Sequence, residues 1–273
     1  MQDTISLIFL GLVQGLTEFL PVSSTGHLIL AREFFGFGTT GLGLAEDAVL
    51  HLATALAVAV YFRKDIFRLV VGAFNAITKR SWNKEMTVIS ALFIGTIPAV
   101  IAGLWFESAI ETVLRDSLVV AGGLIVGSGI FLLAERVHKK ISEKGEMERE
   151  VSIGRGLIIG LFQVLALVPG MSRSGMTISG GMLLGLTRVE AARFAFLLAF
   201  PVIVGAGSLK LVELLQTGSG TSVGIPLALG ALAAFASGMF AIHTLITLLK
   251  TRTLMPFVIY RLVLAAIILV VAL

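Results

Sequence analysis

Apolar residues in this chain come in long blocks separated by short polar or charged stretches, and the length of each block decides what it can do. Runs at 47–62, 87–106, 117–135, 189–211, 224–249 and 256–273 approach the roughly 20 residues that a helix needs to cross a bilayer. Two further blocks are interrupted. Residues 4–20 stop at Pro21, a polar VSSTGH follows, and a short apolar piece resumes at 28–31; the segment 155–186 breaks in the same manner at Pro169 and Gly170. Each half is too short to span, and irregular backbone at membrane depth is tolerated only under a cover of protein or water. Both interrupted blocks therefore predict re-entrant helical hairpins.

The two hairpins are related to one another. GLVQGLTEFLPVSSTGH at 11–27 matches residues 160–176 at an offset of 149 through Gly11/Gly160, Leu12/Leu161, Gln14/Gln163, Leu16/Leu165, Ser23/Ser172 and Gly26/Gly175. Lys and Arg gather at 63–84 and 136–155 and recur at Lys250 and Arg252, which marks those loops as cytoplasmic, whereas Glu107, Glu111 and Asp116 sit in a connector expected outside. Followed backward, this alternation puts both termini outside, opens the first hairpin from outside and the second from inside. The predicted fold is an all-α polytopic membrane protein with an inverted-topology repeat, six transmembrane helices plus two re-entrant helical hairpins. Its halves are 1–135 and 153–273, with the basic stretch 136–155 between them. Turning both hairpins into full spans would give eight crossings and the same charge pattern.

Composition agrees: 56% hydrophobic and 14% charged residues with a mean hydropathy of +0.98 exclude an ordinary soluble domain. The start, MQDTISL, has an acid and no basic n-region, so the first apolar run is expected to stay in the mature protein. The pI near 9.6 comes from the clustered loops and fits a membrane surface better than nucleic acid. With no cysteine, disulfides, thiolate metal sites and cysteine nucleophiles are excluded. GFGTTGLG at 36–43 lacks the Gly-Lys-Ser/Thr ending of a P-loop and reads as linker. Small residues at helical spacing, Gly230, Ala234 and Gly238 or Gly123 and Gly127, predict close helix contacts.

Candidate chemistry lies at the two breaks. Arg173, between Ser172 and Ser174, is costly inside a bilayer and needs an anionic partner. In the first hairpin Gln14 and Glu18 share a helix face, and Ser23, Ser24, Thr25 and His27 follow; at the matching positions Glu18 gives way to Leu167 and Ser24 to Arg173. If the tips meet, an acid and an imidazole from one face a guanidinium from the other, and Arg together with helix N-terminal amides suits a phosphate group. The plainer alternative is a buried Arg173–Glu18 ion pair joining the halves. Glu18 could serve as base, metal ligand or counter-ion, His27 in proton transfer or as nucleophile, and Ser24 as nucleophile or helix cap. Asp47 and His51 are held as supporting positions at the external mouth, and His243 and Arg261 are expected to snorkel at helix ends.

At these two motifs the sequence resembles the integral-membrane undecaprenyl-diphosphate phosphatases of bacteria, the bacitracin-resistance family, over essentially the whole chain. The family's first motif stands here as QGLTEFLPVSSTGH from Gln14 to His27, and its second, PGxSRSxxT, as PGMSRSGMT from Pro169 to Thr177. The resemblance implies hydrolysis of the lipid carrier diphosphate to its monophosphate and inorganic phosphate, recycling the carrier for cell-wall synthesis. It places the enzyme in the bacterial cytoplasmic (inner) membrane with its site opening to the external side. It also implies dependence on a divalent metal, Mg2+ or Ca2+, at Glu18 and Gln14. Carried onto this chain, the catalytic residues are Glu18, His27, Ser24 and Arg173, and substrate contacts fall to Ser23, Ser172, Arg173, Ser174 and Thr177. The first acid position is Gln14 here, which removes a charge from the metal. Water, Ser24 and His27 all stay open as the nucleophile. A polyprenyl diphosphate and the bilayer are the implied partners, a homodimer is held open, and the competing class is a secondary transporter or flippase of a polyprenyl phosphate.

Overall fold

A computed structural model describes residues 2–35, 43–106, 116–216 and 224–272. The linker at 36–42, the acids Glu107 and Glu111, and the Gly/Ser loop at 217–222 lie outside the described residues. Within them every regular element is a helix: α1 (Gln2–Phe19), α2 (Ser24–Phe35), α3 (Gly43–Tyr61), α4 (Arg63–Thr78), α5 (Lys84–Trp105), α6 (Ser117–Glu143), α7 (Ile153–Leu165), α8 (Arg173–Leu183), α9 (Arg188–Gln216), α10 (Gly224–Leu248) and α11 (Met255–Ala272). Five of these, α5, α6, α9, α10 and α11, are long and apolar enough to cross a membrane, which makes the chain an all-α polytopic membrane protein. The run 47–62 is α3, whose first turns carry the buried acids Glu46 and Asp47. Arg32 of α2 holds Asp47 with two hydrogen bonds of 2.7 and 2.9 Å, offsetting the cost of burying that charge.

Helix limits follow local chemistry. Pro21 lacks the N–H that would continue α1; after α7 Pro169 lacks it in the same way, and Gly170 turns the chain at φ 91°. Asn83, Asp116 and Ser152 cap α5, α6 and α7 by accepting from the amides of Met86, Leu118 and Arg155. Two charged stretches expected as loops are helical. Residues 63–78 form α4, because Leu69, Gly72 and Ala76 recur on one face and bury it, with Gly72 lying against Glu85 of α5. The opposite apolar side, with Phe67, Val70, Phe74 and Ile77, is exposed. α6 likewise runs past 135 to Glu143.

The crossings that set the tips in place depend on glycine. α1 packs along α10 and α7 along α5. A Cβ at Gly11 would strike the carbonyl of Gly230, and one at Gly160 would strike the carbonyl of Gly95. Gly11 and Gly160 are the matched pair at offset 149, so corresponding residues of the two broken segments make the same type of backbone-to-backbone contact. Around the tips, Phe19, Phe62, Phe131, Met176, Ile178 and Phe196 belong to one buried core, with Phe19 edge-on to Phe196 at 5.4 Å.

Candidate active site

Both tips are built alike. Ser23 and Ser172 have positive φ, 76° and 73°, a conformation costly for a residue with a side chain and typical of sites where strain serves a purpose. In the first tip the Ser23 hydroxyl accepts from Gly26 N at 3.4 Å and its carbonyl from His27 N at 3.1 Å. In the second, the Ser172 hydroxyl accepts from Gly175 N at 3.2 Å and its carbonyl from Met176 N at 2.9 Å. The tips also touch one another. Gly170 N donates to the Ser23 hydroxyl at 3.0 Å, and the Ser174 hydroxyl donates to Leu20 O at 3.3 Å.

Against this contact lies Glu18, its side chain 3% exposed. One carboxylate oxygen accepts from Gln14 Nε2 at 2.9 Å and from the Ser24 hydroxyl at 2.7 Å, with His51 Nε2 at 3.6 Å. The other faces Arg173 Nη1 at 3.8 Å. That distance is an electrostatic contact but exceeds the 2.7–2.9 Å of a charge-assisted hydrogen bond. Arg173 Nη1 is accordingly a buried donor without a hydrogen-bond partner, and Gln14 Oε1 is a buried acceptor without one. The plain ion pair therefore does not use up the guanidinium, and an oxygen-rich anion entering beside Glu18 would satisfy it.

Four hydroxyls expected to contact substrate are committed to the tips themselves. Ser23 and Ser172 act as helix caps, Ser174 is bonded to Leu20 O and lies 3.2 Å from the Ser172 hydroxyl, and Thr177 donates to Arg173 O at 2.8 Å. Capping thus falls to Ser23 and leaves Ser24 on the carboxylate. His27 is engaged elsewhere: its Nδ1 meets Ser23 O at 2.8 Å and its Nε2 meets Tyr260 Oη at 2.7 Å, with the two rings stacked 5.7 Å apart. Its hydrogen bonds go to neither Glu18 nor Ser24.

Sequence reading placed three residues less well. His51, held only as a supporting position, faces the Glu18 carboxylate directly, with Nδ1 fixed on Asp47 O at 2.7 Å. Tyr260 went unremarked. Arg261, expected to snorkel, is 0% exposed and donates to carbonyls of both tips, Pro21 O at 3.3 Å and Gly170 O at 2.9 Å. The signal was present, an arginine within an apolar run, but nearness to a helix end suggested an escape to water that the packing of α6 and both tips closes off.

For a divalent cation, no group of three or more His, Asp or Glu side chains with suitable placement occurs among the described residues. Glu18 and the unpartnered Gln14 Oε1 give two oxygen donors. This suits a hard cation that takes the rest of its shell from water and phosphate, as Mg2+ commonly does, and not an all-protein cage.

The model of the family described as bacitracin resistance protein BacA matches residues 7–267. An undecaprenyl-diphosphatase of Myxococcus xanthus is 44% identical over 265 residues, covering 96% of this chain and 87% of that protein. One of Teredinibacter turnerae is 40% identical over 265 residues, 96% of this chain and 97% of its own length, and one of Rubrobacter xylanophilus is 40% identical over 270 residues, 98% of each. With both motifs folded into one site and a match that runs from end to end, the chain belongs to the bacitracin resistance protein BacA family.

Proposed function

We propose that this protein hydrolyses undecaprenyl diphosphate to undecaprenyl phosphate and inorganic phosphate, recycling the lipid carrier used in cell-wall synthesis. The observation that carries it is the environment of Glu18, with a hydroxyl hydrogen-bonded to one oxygen and an unsatisfied guanidinium donor beside the other. The relatives named above act, by their names, on this diphosphate, and the match to them covers 96–98% of this chain and 87–98% of theirs.

Ser24 is the nucleophile in this scheme. Its hydroxyl proton passes to Glu18, which it already touches, as the Ser24 oxygen bonds the terminal phosphorus and the bridging P–O bond breaks. Polyprenyl phosphate leaves with the bond's electron pair. Water then attacks the phosphoserine phosphorus, Glu18 returns its proton to the Ser24 oxygen, and both protons of the water depart on inorganic phosphate. Arg173 neutralises the oxygens of the transferring group, its planar fork matching two of them at once. His27, tied to Ser23 O and Tyr260, holds the turn that carries Ser24. Glu18 and Gln14 would hold Mg2+ or Ca2+; when bound, the ion supplies charge neutralisation of the diphosphate.

The division into halves 1–135 and 153–273 with opposite insertion belongs to the same proposal, supported by the matched tips and the matched glycine crossings. So does a site opening to the external face of the cytoplasmic membrane, supported by the basic stretches at 63–84 and 136–155. Phosphate release from undecaprenyl diphosphate by the detergent-solubilised protein, with and without a chelator, is the test. A pure carrier of polyprenyl phosphate would release none where both faces share one solution, and that result would overturn the proposal.

A further inference from the structure

Arg261 of α11 is a fully buried cation whose partners are all uncharged oxygens. Its Nε donates to the Ser128 hydroxyl at 3.1 Å, Nη1 to Pro21 O and Met171 O at 3.3 Å each, and Nη2 to Gly123 O and Leu124 O at 3.1 Å and Gly170 O at 2.9 Å. The guanidinium lies over the Phe131 ring, 4.7 Å from its centroid. No Asp or Glu forms an ion pair with it among the described residues. Burying a charge on those terms is expensive, and an apolar side chain would fill the volume at lower cost. The arrangement therefore calls for an explanation beyond packing.

The acceptors supply one. Pro21 and Gly170 correspond at the offset of 149, and each lies two residues before a positive-φ serine, Ser23 or Ser172. Where a helix breaks inside a membrane its carbonyls lose their intrahelical partners and must be satisfied by the protein. One guanidinium does this for both breaks at once, from α11, which belongs to neither broken segment. Immediately after the two capping serines come Ser24 and Arg173. We infer that Arg261 is a positioning residue that fixes the spacing of the two tips, and through them the separation of the Ser24 hydroxyl from the Arg173 guanidinium across one phosphate. This rests on the hydrolase reading above. Gly127 belongs to the same device, since a Cβ there would collide with Arg261 Nη2.

The test compares the purified full chain with Arg261→Lys, Arg261→Gln and Gly127→Ala. The last displaces the guanidinium without removing it, and serves where loss of the arginine prevents folding. Phosphate release from undecaprenyl diphosphate gives kcat and KM; amide hydrogen exchange is followed at 18–27, at 166–176 and in the reference helix at 224–248. A misplaced reacting group costs about 100-fold in kcat with KM held within about 3-fold, and Lys fares no better than Gln, because one ammonium cannot span both tips. Exchange quickens in both tips together while 224–248 is unchanged. Near-normal kcat in the Lys variant would show that charge alone suffices and overturn the inference. So would exchange that quickens in one tip only, or equally in the reference helix. A wild-type protein that releases no phosphate sinks the hydrolase reading instead, and exchange at the paired tips still decides the role of Arg261.

Discussion

The Ser23 hydroxyl of the first tip accepts a hydrogen bond from the Gly170 amide of the second at 3.0 Å, while also accepting from Gly26 N at 3.4 Å. A single oxygen thus caps one broken helix and fastens the other. Ser23→Ala leaves two buried amides without an acceptor, a loss of about 1–3 kcal/mol for each group left unsatisfied. Ser23→Gly loses the same bonds but relieves the strain of φ 76°. Both variants should turn over slowly, and in thermal melts in detergent Gly should be the more stable of the two. Equal midpoints would mean that the positive φ carries no appreciable strain.

Loss of Arg173 should harm chemistry far more than folding. Its Nη1 has no hydrogen bond to forfeit, and Glu18 retains Gln14 and Ser24 when the guanidinium goes. Removing a donor aimed at developing phosphoryl charge costs on the order of 100- to 1,000-fold in kcat. Arg173→Ala should lose at least that much and still elute as folded protein. Arg173→Lys should recover part, since it keeps the charge and loses the fork.

Ser24 and Glu18 form one proton-transfer unit through their 2.7 Å bond, so their effects should not add. Ser24→Ala and Glu18→Gln should each nearly abolish phosphate release, and the double variant should be no worse than the poorer single one. Chasing substrate labelled in its terminal phosphate should leave label on Ser24. His27→Ala should lose less than Ser24→Ala, its imidazole being spent on Ser23 O and Tyr260. Label found on His27 would reverse these assignments.

Gln14→Glu tests the cation site without relying on turnover. The substitution replaces an amide that donates to Glu18 at 2.9 Å with a second buried carboxylate, so like charges meet where a hydrogen bond was. Without divalent metal the variant should melt below the wild type. Added Mg2+ or Ca2+ should then raise its midpoint more than that of the wild type, because two carboxylates bind a hard cation better than one. A variant indifferent to metal would argue against a cation between residues 14 and 18.

Much of this architecture could be read from the chain because bilayer thickness ties block length to role. The apolar blocks, the breaks at Pro21 and Pro169–Gly170, and the approach of Arg173 to Glu18 all follow from hydropathy, proline chemistry and the cost of a lone charge in lipid. What escaped were features that depend on which surface meets which. α4 was hidden because its Arg and Lys residues mask a helical stripe of only Leu69, Gly72 and Ala76. His51 looked peripheral because a separation of 33 residues from Glu18 gives no hint that α3 packs against α1. Arg261 looked wet because sequence shows distance to a helix end but not the tips folded over it.

The matched glycines give the last prediction. Gly11→Ala forces α1 away from Gly230 of α10, and Gly160→Ala forces α7 away from Gly95 of α5. In each case the carbonyl in the way is backbone, which cannot step aside as a side chain would, and overpacking of this kind costs about 1–3 kcal/mol. The shift runs along each helix to its tip, where a displacement of 1 Å suffices to cost about 100-fold in rate. Both variants should therefore lose kcat together with thermal stability. Gly129→Ala in α6 is the control: a Cβ there meets nothing within 4 Å, so the better helix propensity of alanine, up to about 1 kcal/mol, should leave stability equal or higher. If Gly129→Ala were as damaging as Gly11→Ala, close backbone approach would not be what holds the two tips in place.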